Sequence, residues 1–145
     1  MQHHSIDKLR VVAKFTLEDL HSSISRAERL EHWAKALERE PKRILTALPG
    51  TEHMSIESRD LARSANSPIS VAYDEPLLRL HGLRDDTYGE AKRFFELSDS
   101  SLHSIVCHCH IGPTMRGDQA ARFVRRAIRG DLFDRIGAVL GRWWA

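Results

Sequence analysis

Apolar residues recur at helical spacing along most of the chain, and the breaks between them carry capping residues, glycine or proline. From Ser5 to about Ile24, the set Ile6, Leu9, Val12, Phe15, Leu20 and Ile24 predicts a first helix. Ser25 followed by Glu28 has the form of a capping box, and Leu30, Trp33, Ala34 and Leu37 then mark one face of a second helix. Beyond Pro41, Ile44, Leu45 and Leu48 predict a short third helix closed by Pro49-Gly50. Residues Thr51 to Pro68 are the least apolar stretch, with one short helix expected around Ile56 to Ala65.

Ile69 to Tyr73 alternates only briefly and reads as extended linker, because a lone five-residue strand has no partner in sight. Asp74 before Pro76 predicts the start of a helix through Leu77, Leu78 and Leu80 that stops at Gly82. A second capping box, Thr87 to Glu90, opens the helix of Tyr88, Ala91, Phe94 and Phe95, and Ser98 caps the next. After Gly112-Pro113, Thr114 or Asp118 starts an amphipathic stretch through Ala120, Ala121, Val124, Ala127 and Ile128, which Gly130 interrupts or ends. Leu132, Phe133, Ile136, Val139, Leu140 and Trp143 continue an apolar face.

These elements predict an all-α fold, a single domain over residues 1–145 with six to eight short helices in orthogonal or bundle-like packing. The expected core is Leu9, Val12, Leu30, Trp33, Leu37, Leu45, Leu80, Phe95, Leu102, Val106, Val124, Ile128 and Ile136.

Composition alters this picture little. Hydrophobic content of 41% and charged content of 29% suit one globular domain of 145 residues. No apolar run is long enough to span a bilayer and no secretory signal is evident, so a cytoplasmic protein without a membrane role is expected. The net charge of +2 is unevenly spread. Residues 1–110 carry 15 basic and 17 acidic side chains, and residues 111–145 carry 7 and 3, so the tail is basic.

Candidate chemistry concentrates in Leu97 to Gly112, which holds both cysteines and three of the nine histidines. A Cys-X-Cys pair closes too small a loop to be a good structural disulfide, which favours reduced thiols. On a helical wheel Leu102, Ile105, Val106 and Cys109 share the core face. His103, Cys107 and His110 form a second stripe at i, i+4 and i+7, and the first two of these can chelate one ion. His110 joins only if the helix reaches Gly112, and a further ligand must come from another element, with His32, His53 and His81 as candidates. The plainer alternative packs Cys109, half-buries Cys107 and sets the histidines at a helix C-terminus, where the macrodipole favours cationic rings. Cys107 as a nucleophile is the weakest reading, since no orienting acid or oxyanion feature can be assigned.

Arg122, Arg125, Arg126 and Arg129 share one sector of the following helix and could track a phosphate backbone, loosely in the manner of a helix-turn-helix. The long turn before it and the scarcity of base-reading side chains favour a solvated basic face instead. Trp143 and Trp144 suggest an interface, since Trp is enriched among binding hot spots. Nucleotide-binding, zinc-protease and hydrolase motifs are absent, and no catalytic residue is assigned. The leading expectation is a non-enzymatic interaction or regulatory module without cofactor, acting on a protein partner or as a homodimer. The alternative is a metal-binding or redox-responsive protein holding zinc or another transition metal through His103, Cys107 and His110, and nucleic-acid binding ranks third.

Overall fold

The computed structural model describes residues 24–48, 50–107 and 112–144, with side chains left out of account over 131–140 and 142–144. The expected helix over 5–24 apart from its last residue, the core positions Leu9 and Val12, the side chain of Ile136, and the environment of Cys109 and His110 therefore lie outside the described residues.

The order of elements is α1 (Arg26–Glu38), β1 (Ile44–Thr46), a 3-10 turn (Thr51–His53), α2 (Ile56–Asp60), α3 (Pro68–Asp74), α4 (Pro76–Leu80), α5 (Tyr88–Phe94), α6 (Asp99–Val106), β2 (Thr114–Arg116) and α7 (Gly117–Trp144). The fold is mostly helical, in broad agreement with the all-α expectation, and adds one small sheet of two antiparallel strands. Ile44, Leu45 and Leu48 do not form a helix. Leu45 turns inward opposite Met115 while Ile44 and Thr46 face out, the period of two that defines a strand. The missed partner strand lies 70 residues on, at Thr114–Arg116, where Met115 is the lone buried residue of the three.

The central pair is α1 against α7. Ser25 caps α1 by accepting from the Glu28 N–H at 3.2 Å, as the capping box predicted. The helix buries Leu30, Trp33, Ala34, Ala36 and Leu37. Trp33 stacks on Phe95 with ring centroids 4.5 Å apart, and its indole N–H donates to the Pro68 carbonyl at 2.9 Å. That bond ties α1 to the start of α3. Gly117 opens α7 so close to α1 that a Cβ there would stand 2.6 Å from the Leu37 carbonyl oxygen and 2.5 Å from that of Glu40. The first N–H groups of α7, which a helix cannot satisfy itself, donate to the Arg43 and Pro41 carbonyls.

Four further expectations are corrected. Ile69 to Tyr73 is helix, not linker: Ser67 caps it, Pro68 starts it, and Ile69, Ser70, Val71 and Ala72 are all buried. A helix buried on every side has no amphipathic stripe to read. Asp74 ends that helix instead of capping the next, and Leu80 is 46% exposed while Leu78 and Leu83 fill the core. Gly130 does not break α7, whose 28 residues make it far from short. An exposed helical glycine costs about 1 kcal/mol relative to alanine, too little to end a helix of this length.

Candidate metal centre

Ser98 caps α6, accepting from the Ser101 N–H at 3.1 Å, and Leu102, Ile105 and Val106 are fully buried on the core face the spacing predicted. Cys107 follows the helix in αR conformation, and its N–H donates to the His103 carbonyl at 2.8 Å. Helical register thus holds through position 107, and the i, i+4 pair His103 and Cys107 faces one way. Cys107 is buried, 7% exposed, instead of half-buried.

A third group arrives from a distant element. The Leu48 N–H donates to the Val106 carbonyl at 2.9 Å, fastening the strand exit to the end of α6. Gly50, in left-handed conformation with φ of 72°, then turns the chain into Thr51–His53. Arg59 holds that turn from the other side through its Nε–H on the Thr51 carbonyl at 2.9 Å. The result brings Glu52 against α6: the Cys107 thiol donates to Glu52 Oε2 at 3.3 Å, and His103 Nε2 stands 3.6 Å from the same oxygen. Cys107 Sγ, a ring nitrogen of His103 and a carboxylate oxygen of Glu52 all lie within 4.8 Å of one another.

Two of the three donor separations, 3.3 Å and 3.6 Å to Glu52 Oε2, match the spacing around a small metal ion. Bond lengths of about 2.0 to 2.3 Å in a tetrahedral zinc site put ligand atoms about 3.3 to 3.6 Å apart. The hydroxyl of the buried Thr51 lies 3.3 Å from His103 Nδ1, an outer hydrogen bond that fixes the ring with Nε2 toward Glu52. Glu52 is held below the usual carboxylate range, first by its own backbone N–H and then by the Cys107 thiol. Its carboxylate is accordingly anionic at neutral pH.

Of the sequence-derived candidates, His103 and Cys107 come together as expected, while His110 lies outside the described residues. His53 stands beside the cluster, with Nε2 3.5 Å from Glu52 Oε1, but its side chain is 84% exposed and it is not among the three converging groups. Glu52 was missed although its neighbour was named; a glutamate in the least apolar stretch carries no periodic signal.

The arginine sector is occupied by acids and an aromatic ring. Arg125 bonds Glu31 at 2.8 Å and also pairs with Glu38, Arg122 reaches Asp118 at 3.4 Å, and Arg126 lies over the Phe123 ring. Arg129 is exposed. The side chains of Trp143 and Trp144 are outside the described set. Among the described residues, no helix is long and apolar enough to cross a membrane. Comparison with protein-family models, with characterised proteins and with solved structures found no match to this chain.

Proposed function

We propose that this protein binds one divalent transition-metal ion through Glu52, His103 and Cys107, with zinc the best-fitting ion. The convergence of a thiol, an imidazole and a carboxylate from two separate elements carries the reading. A thiolate and an imidazole select zinc or a neighbouring transition metal over calcium or magnesium, which take oxygen ligands. The hydrogen bond between His103 Nδ1 and Thr51 Oγ1, which orients the ring with Nε2 toward Glu52, supports the reading. The interaction-module reading drew on Trp143 and Trp144, whose side chains lie outside the described residues.

Titration of the metal-free full chain with zinc, in competition with a chromophoric chelator, tests this. One equivalent is expected to bind, and Cys107→Ser and Glu52→Gln should each weaken binding by more than about 100-fold, beyond the 10- to 100-fold typical of an outer-shell loss. Equal affinity in the wild type and both variants would end the proposal.

A further inference from the structure

The three ligand atoms enclose a metal position unevenly. Cys107 closes one side, whereas the side chains of Glu52 and His103 remain 39% and 26% exposed. On that exposed side Glu52 and His103 form one wall of a cleft whose other walls are Arg59, Tyr88, Asp99, Ser100 and Ser104. A tetrahedral ion with three protein ligands has one position left, and among the described residues no fourth His, Cys, Asp or Glu joins the trio.

The cationic group on the cleft wall is Arg59. Arg59 has five N–H groups, of which Nε spends one on the Thr51 carbonyl and Nη2 one on the Met54 carbonyl, the latter at 3.4 Å. Ser100 and Ser104 also line the cleft, the Ser104 hydroxyl donating to the Ser100 carbonyl at 3.0 Å. The cleft's other carboxylate, Asp99, is already covered: Tyr88 donates to it at 3.1 Å, Lys92 at 2.9 Å, and Arg59 Nη1 lies 3.6 Å away. We infer that the fourth coordination position opens into this cleft and accepts a small anion from solution, a step that rests on the metal reading above. The anion's donor atom completes the coordination sphere and the guanidinium of Arg59 favours its charge. Such a site has the form of an exchangeable or catalytic centre and not of a closed structural one.

Cobalt(II) in place of zinc makes the test optical. The full chain is loaded with cobalt, the thiolate-to-cobalt charge-transfer band is recorded, and azide is added as the probe anion. Azide should shift the cobalt d–d bands of the wild type, and the shift should be lost in Ser100→Trp, which fills the cleft, while the charge-transfer band persists. Ser104→Leu serves as a second filler if the tryptophan disturbs the fold. A charge-transfer band with d–d bands unmoved by azide would overturn the open position and leave the metal reading standing. An azide shift that survives both fillers would overturn its placement in the cleft, and absence of any charge-transfer band would remove thiolate coordination and with it the whole inference.

Discussion

Thr51 illustrates how one buried residue shapes the cluster of Glu52, His103 and Cys107. Its oxygen sits 3.3 Å from His103 Nδ1, and its carbonyl receives Arg59, so the residue both aims the imidazole and anchors the turn that carries Glu52. Thr51→Val removes the first role and keeps the second. It should weaken zinc binding by about 10-fold in a chelator competition while lowering the urea unfolding free energy of the metal-free chain by no more than about 1 kcal/mol. Tyr88 supplies a pH-dependent case. Burial first, and the Asp99 charge second, push its phenol up to about 12 from the ordinary 10.0. A raised folded value means that the neutral phenol stabilises the fold fully below pH 10, and that this contribution disappears as pH rises from 10 toward 12. Tyr88→Phe should therefore be less stable than wild type near about pH 8, by roughly 1 kcal/mol for the lost bond to Asp99, with the gap closing near about pH 11 in denaturant unfolding. The histidine and cysteine of the centre were legible because i, i+4 spacing is a local property of α6. Glu52 was not, since its approach to Cys107 across 55 residues depends on the Leu48 to Val106 bond and the left-handed Gly50.

The capped helices were the legible elements. Ser25, Thr87 and Ser98 each accept the N–H three residues on, a short-range bond that sequence spacing encodes directly. Glu90 adds a departure from the ideal box: its carboxylate accepts from the Arg84 N–H and also pairs with Arg93. The strand pair and α3 were illegible for opposite reasons. Three residues of β1 are too few to establish a period and their partner is remote, while α3 is buried all round and shows no period at all. Gly117 joins these elements, because it lets α7 start against the carbonyls that end α1. Gly117→Ala places a methyl within 2.6 Å of backbone oxygen, which cannot yield as a side chain would. A loss of about 1 to 3 kcal/mol is expected in denaturant unfolding, against the small gain an alanine brings to an open helical position.

Across the whole molecule, charge and metal binding separate the remaining readings. The basic tail is answered by the acidic body where α7 meets α1, through Arg125 with Glu31 and Glu38, and Glu31 is held below the ordinary carboxylate range chiefly by its bond to Arg125. Two of the four arginines of the sector, Arg122 and Arg125, have acidic partners within the fold, and random duplex DNA should show no binding at about 0.15 M salt in a gel-shift or anisotropy assay. Folding is what brings Glu52 to His103 and Cys107, so an ion held by all three must favour the folded chain. Zinc at about 100 times its dissociation constant should add about 2.7 kcal/mol to unfolding stability, and Cys107→Ser should abolish most of that gain. The most direct test is X-ray absorption of the zinc-loaded full chain. One sulfur scatterer at about 2.3 Å together with nitrogen and oxygen neighbours at about 2.0 to 2.1 Å is the predicted shell. A shell of oxygen and nitrogen alone, or one with two or more sulfurs, would contradict a centre built from Glu52, His103 and Cys107.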